Sequence, residues 1–173
     1  MAWRGSGLAR NGRSLRGKSY LYASLAVVRV RSIPSGEARR KAEAAAQVLA
    51  SDQRVRLVFL FGSTQEGRSQ VGDIDLAVLS DPPLSLDSLM RLRADVVSAV
   101  GGPIELVSLN DVSVVLAFEV AKRGSCLFAR SPEDEAEFVL RARMSYWDFK
   151  PFLDEQWRLA GQRLEERRLG TQG

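Results

Sequence analysis

Histidine is absent from this 173-residue chain, and cysteine occurs once, at Cys126. Without histidine there can be no Ser-His or Cys-His nucleophilic machinery and no imidazole-ligated metal. A single cysteine excludes an internal disulfide and a thiolate zinc site. Any bound metal would need oxygen ligands, which points to magnesium or manganese. Long apolar runs are also missing. The best candidate near the N-terminus, Leu21 to Val28, falls far short of the roughly 18 residues that span a bilayer, so no membrane segment is expected. The scarcity of cysteine suits a reducing cytoplasm, and Cys126 reads as a small buried residue.

Acidic residues are absent from positions 1–36, which carry seven basic ones (Arg4, Arg10, Arg13, Arg16, Lys18, Arg29 and Arg31). The net charge of +4 therefore misleads. Removing those seven from the 25 basic residues leaves 18 against 21 acidic ones. The remainder is slightly acidic and gives no support to a nucleic-acid-binding face. Residues 1–35, rich in Arg, Ser and Gly, read as a disordered basic extension or a start assigned too far upstream. A transit peptide or a nucleic-acid-binding arm is the alternative. Only Tyr20 to Val30 could pair there as a strand or short helix.

Downstream, the spacing of Ala42, Ala45, Ala46 and Leu49 predicts a helix over Gly36 to Ala50, capped by Ser35. Val55 to Phe61 is β-branched, aromatic and aliphatic, and stops at Gly62, as a buried strand would. Asp73 to Leu79 alternates polar and apolar and predicts a second strand, ended by Ser80-Asp81-Pro82-Pro83. Leu86 to Val100 reads as a helix with Leu86, Leu89, Met90, Val96, Val97 and Val100 inward, stopped by Gly101-Gly102-Pro103. Ile104 to Leu109 is a third strand. Val112 to Lys122 is a helix capped by Asn110 or Asp111 and closed by Gly124, and Cys126 to Ala129 is a fourth strand. Ser131-Pro132-Glu133-Asp134 starts a last helix, with Phe138, Ala142, Tyr146 and Phe149 on one face. Pro151 is expected to break or kink it. The aromatic set Phe138, Tyr146, Trp147, Phe149 and Trp157 reads as core packing, with a partner-docking face as the alternative. The resulting organisation is one domain over residues 36–150 and a C-terminal helical tail over 151–173.

The chemistry concentrates between the first two strands of that domain. Period-two alternation puts Asp73 and Asp75 on one face of the sheet, roughly 6–7 Å apart along the strand. Like charges so placed repel, and a divalent cation removes the conflict by taking their oxygens as ligands. Glu105, on the next strand, is the best-placed third carboxylate. Gly62 permits close backbone approach to an anion. Ser63 begins a turn whose free N–H groups and hydroxyl suit phosphates. Arg68, or less favourably Arg56, could add positive charge. Such a site could position a nucleoside triphosphate and stabilise a leaving pyrophosphate.

Phe59-Leu60-Phe61-Gly62-Ser63, a spacer, and Gly72-Asp73-Ile74-Asp75-Leu76 together resemble the DNA polymerase β-type nucleotidyltransferase superfamily. The small size is similar to its minimal (MNT) branch. The following order also matches: a helix, the acidic strand Ile104-Glu105-Leu106-Val107, a helix ending Lys122-Arg123-Gly124, and Cys126-Leu127-Phe128. The resemblance implies an α/β (α+β) nucleotidyltransferase fold, a mixed and mostly antiparallel sheet of about four strands backed by helices. It implies Mg²⁺ (or Mn²⁺), ATP as substrate, and transfer of AMP to a tyrosine of a helical HEPN toxin in a toxin–antitoxin pair. By position, Gly62 and Ser63 would hold the triphosphate and Asp73 and Asp75 the metal. Glu105 would be the third acid, as metal ligand or base. The spacer is a residue shorter than the common pattern, Gly72 stands where Ser is frequent, and Glu105 stands where Asp is usual. Two other readings remain open: an inactive MNT domain that neutralises its partner by binding alone, and a small-molecule transferase of the aminoglycoside type.

Overall fold

The computed structural model describes residues 32–65 and 69–170. Most of the expected N-terminal extension, including Tyr20 to Val30, lies outside the described residues, as does Arg68. The elements run β1 (Ile33–Pro34), α1 (Ser35–Ala50), β2 (Val55–Phe61), a 3-10 turn (Gly62–Gln65), β3 (Gln70–Val71), β4 (Ile74–Ser80) and α2 (Leu86–Val100). They continue with β5 (Ile104–Ser108), α3 (Val114–Arg123), β6 (Ser125–Ala129) and α4 (Pro132–Gly170).

The main sheet has the order β5-β4-β2-β6. Strand β2 pairs antiparallel with β4 and with β6, while β4 and β5 run parallel. A parallel pair needs a crossover, and α2 supplies it. The sheet is therefore mixed and mostly antiparallel, as the sequence implies. Its two central strands are covered on both faces. Val58, Leu60, Leu76 and Val78 pack with α1 and α2 on one face, and Leu57, Phe59 and Ala77 pack with α3 and α4 on the other. This two-sided burial explains why β2 is apolar at nearly every position. On α1, Ala38, Ala42, Ala45 and Ala46 are fully buried; with no side chain beyond Cβ they let the helix lie close against the sheet.

Several local expectations are corrected. Ser35 is the first residue of α1, not its cap. Pro34 occupies that place without a side-chain bond, and the Ser35 N–H donates to the Ser69 carbonyl at 3.2 Å. That bond continues the β1–β3 ladder, in which Ile33 faces Val71. This two-residue ribbon is too short to leave a periodic signal. Ser80 is the last residue of β4 rather than the first beyond it, buried and held by Asn110. The Asn110 amide donates to the Ser80 carbonyl at 2.9 Å, and its side-chain oxygen accepts from the Ser80 N–H at 3.2 Å. With Asn110 so engaged, Ser113 caps α3, its hydroxyl accepting from the Leu116 N–H at 3.2 Å. On α2, Leu92 and Val96 form the buried line, whereas Leu86 and Met90 are 69% and 50% exposed. Leu89, Val97 and Val100 pack against that core as expected, so only Leu86 and Met90 depart from the expected inward face.

Helix α4 begins as expected. The Ser131 hydroxyl accepts from the Asp134 N–H at 3.3 Å, and the Asp134 carboxylate accepts from the Ser131 N–H at 3.0 Å. The helix then continues through Pro151 instead of ending there. Phe138 packs on Phe59 at 5.4 Å between ring centroids, and Tyr146 stacks on Phe118 at 3.8 Å. Core packing ends with these two. Trp147 is 61% exposed because it lies on the face of α4 turned away from α3, and Trp157, 76% exposed, and Phe149 are exposed as well. Cys126 is half-buried rather than buried. Its thiol donates to the Phe128 carbonyl, and burial pushes its pKa up to about 12, which leaves it an unreactive thiol at neutral pH. Among the described residues no helix is long and apolar enough to cross a membrane.

Candidate nucleotide and metal site

Strand pairing builds the site. Phe61, the last residue of β2, faces Asp75 on β4, and Asp75 faces Glu105 on β5. The chain leaves Phe61 directly into the Gly62–Gln65 turn, so the turn and two carboxylates stand side by side across three adjacent strands. The Ile74 N–H donates to the Pro103 carbonyl at 3.0 Å, which aligns the starts of β4 and β5. Asp73, just ahead of β4, completes the group. One carboxylate oxygen from each of Asp73, Asp75 and Glu105 lies within 4.8 Å of the others. Asp73 and Glu105 are exposed and Asp75 is half-buried.

Three carboxylates so close are electrostatically unfavourable to one another. Asp75 carries the strain. Its pKa is pushed up to about 6, first by burial, then by the charges of Asp73 and Glu105, and against the opposing effect of a hydrogen bond from the Ser63 N–H. A divalent cation would reverse all of the raising effects except burial. The donor set, three carboxylates with two open to solvent, fits magnesium or manganese, which keep waters and favour few carboxylates.

Gly62 has φ +69, a left-handed conformation that glycine adopts without strain. A Cβ built on it would stand 2.0 Å from the Asp75 Oδ2. Glycine is therefore required twice, by the backbone angle and by the carboxylate packed against it. The hydroxyls of Ser63 and Thr64 are buried and have no hydrogen-bond partner among the described residues. A buried hydroxyl without a partner costs about 1–3 kcal/mol, and phosphate oxygens at the turn are acceptors that would satisfy it. The residues present thus fit a nucleoside triphosphate as well as a cation.

The structure brings together five of the six residues singled out from the sequence: Gly62, Ser63, Asp73, Asp75 and Glu105. The sixth, Arg68, lies outside the described residues. Arg56, the weaker candidate for positive charge, is corrected: it sits near the opposite end of β2 and pairs with Asp134 at 2.7 Å. Sequence reasoning missed Thr64 and Arg93. Arg93 Nε donates to the Ile104 carbonyl at 2.9 Å, immediately before Glu105. Nothing in the sequence marks Arg93, because its contact arises only when β5 returns beside α2.

The fold is shared with solved structures. A mutant form of the toxin–antitoxin MntA-HpeT superposes with a TM-score of 0.57 at 22% identity, covering 67% of this chain and 98% of that one. A toxin–antitoxin with AMP-PNP gives 0.56 at 24%, over 66% and 98%. A tri-AMPylated Shewanella oneidensis HEPN toxin in complex with MNT antitoxin gives 0.55 at 22%, over 69% and 98%. At these identities the likeness is one of fold. By sequence, the chain is 32% identical over 83 residues to the protein adenylyltransferase MntA of Shewanella oneidensis. That alignment covers 47% of this chain and 60% of the relative's length. The family model for polymerase beta nucleotidyltransferases matches residues 43–133, just over half of the chain and the span that holds β2, the Gly62 turn and all three acids. The chain belongs to the polymerase beta nucleotidyltransferase family.

Proposed function

We propose that this protein is a Mg²⁺-dependent nucleotidyltransferase that moves AMP from ATP to a tyrosine hydroxyl of a helical HEPN-family toxin, and so acts as the antitoxin of a pair. The observation that carries the reading is the convergence of Asp73, Asp75 and Glu105 within 4.8 Å, beside a glycine turn whose buried hydroxyls have no partner among the described residues. The similarity to a protein adenylyltransferase and the likeness to antitoxins solved with an AMPylated toxin and with AMP-PNP support it. In this reading Gly62 and Ser63 hold the triphosphate, with Arg68 as a further phosphate ligand. Asp73, Asp75 and Glu105 hold the cation, with Mn²⁺ as a substitute. The bound cation would neutralise the phosphates and polarise the α-phosphate. The acceptor oxygen bonds to the α-phosphorus, the bond to the bridging oxygen breaks, and pyrophosphate leaves. The hydroxyl proton passes to Glu105 or to solvent. ATP supply and the single cysteine favour the cytoplasm.

A second reading, neutralisation by binding alone, is favoured by one observation. Leu140, Met144 and Trp147 form an exposed stripe on α4 at i, i+4 and i+7, facing away from the domain core. One experiment separates the two. The chain is incubated with labelled ATP, Mg²⁺ and its co-encoded helical partner, beside an Asp73→Asn/Asp75→Asn control. Label on the partner that disappears in the control is the expected result. A tight complex without label would overturn catalysis and leave the binding reading.

A further inference from the structure

Beyond Glu105 the sheet ends, because β5 is an edge strand. A cleft of about 390 Å³ opens there, lined by Asp73 and Glu105 on one side and by Met90, Arg93 and Pro103 on the other. Two features set it apart from an ordinary surface dip. Met90 is half exposed although it sits mid-helix with an apolar neighbour one turn away, Leu86, that is exposed too. Leu86, Met90 and Arg93 share one face of α2 at i, i+4 and i+7. Arg93 is also tethered, its Nε bonded to the Ile104 carbonyl, so the guanidinium is held at the cleft instead of swinging free.

The order of groups across the sheet gives this cleft a direction. The Gly62–Ser63 turn follows β2, Asp75 stands on β4, Glu105 on β5, and the cleft lies past β5. In phosphoryl transfer the attacking and leaving oxygens lie roughly in line. If the triphosphate is held at Ser63, pyrophosphate departs on the β2 flank, and the attacking hydroxyl must arrive from the β5 flank. We propose that the cleft is the acceptor subsite, taking an aromatic hydroxyl carried on a protein, with Met90 and Arg93 as its specificity-determining residues. The thioether makes favourable contacts with ring edges, and a fixed guanidinium stacks on ring faces. An aliphatic hydroxyl would use neither. The inference rests on the AMP-transfer reading above and names the side on which its acceptor binds.

The test uses the full chain, a co-encoded helical partner as acceptor, labelled ATP with Mg²⁺ for the transfer kinetics, and an ATP analogue blocked at the α–β bond, with Mg²⁺, as the separate probe of nucleotide affinity. Met90→Asp and Arg93→Ala are expected to raise the KM for the acceptor about tenfold, with analogue affinity within about twofold of wild type. Met90→Leu should retain most of the acceptor affinity, and Ser98→Glu, on another face of α2, should change neither. Melting curves check that the variants fold, as the exposure of Met90 leads one to expect. An unchanged acceptor KM in both variants would overturn the proposal. So would a loss of analogue affinity that parallels the loss of transfer, since the residues would then serve the nucleotide. A wild-type chain that labels no acceptor would instead remove the underlying reading, and the subsite with it.

Discussion

The two ends of the sheet treat charge in opposite ways. At the far end, opposite charges are matched. Arg54 pairs with Asp52 and Arg56 with Asp134, each at 2.7 Å. The Arg130 guanidinium donates to the carbonyls of Ala50, Asp52 and Val55. Arg54 and Arg56 respectively hold the Asp52 and Asp134 carboxyls below their usual range. At the near end, Asp73, Asp75 and Glu105 crowd together and the pKa of Asp75 is pushed up to about 6. One end pairs opposite charges, and the other crowds like charges together. Local conflict of this kind, in an otherwise consistent structure, is where function concentrates.

Removing the conflict should have the largest effect. Asp75→Asn is expected to lower AMP transfer on the order of 10³-fold while raising the melting temperature of the metal-free protein, because a half-buried charge facing two like charges is gone. A melting temperature that falls instead would show that Asp75 is not under strain. Gly62→Ala should follow. A Cβ there collides with Asp75 Oδ2 and the φ is left-handed, so the backbone strain alone costs about 1–3 kcal/mol. Denaturant melts should show that loss, and isothermal titration should show weaker Mn²⁺ binding.

The third prediction concerns pH. The folded-state pKa of Asp75 lies above its ordinary value of 3.8, at about 6. Its contribution to stability is therefore present in full below the unfolded value and is lost as pH rises through the folded one. Metal-free protein should lose melting temperature between about pH 4 and pH 7, and saturating Mg²⁺ or Mn²⁺ should restore it at the upper end. Asp52 and Asp134, whose pKa values are lowered, act with the opposite sign and below that window. A flat metal-free profile that Asp75→Asn does not alter would contradict the contrast between the two ends. At the far end, Asn110→Ala should cost about 1–3 kcal/mol through the orphaned Ser80 groups, with Mn²⁺ affinity unchanged. The smallest effect belongs to Trp147→Ser, which should leave stability within about 0.5 kcal/mol. A pull-down of the helical partner would show whether the α4 stripe contributes to binding.

The sequence by itself determined the local pieces. Val55 to Phe61 is a strand because every side chain but Arg56 suits a position buried on both faces, and Leu86 to Val100 is a helix because strong formers run between Ser85 and the Gly101-Gly102-Pro103 stop. Gly62, Ser63, Asp73 and Asp75 were legible as a group because they lie within fourteen residues of one another. Glu105 could only be nominated: its place opposite Asp75 depends on the parallel register of β4 and β5 after an α2 crossover. The tertiary structure alone decided that Met90 faces solvent and Arg93 the edge of β5, that Arg56 serves Asp134, that Asn110 clasps Ser80 and leaves the cap to Ser113, and that Trp147 and Trp157 stay exposed. Periodicity and capping act over a few residues and are written in the chain. Which strand edge or charge meets them across 30 or 80 residues is settled by packing, and packing is what placed three carboxylates together.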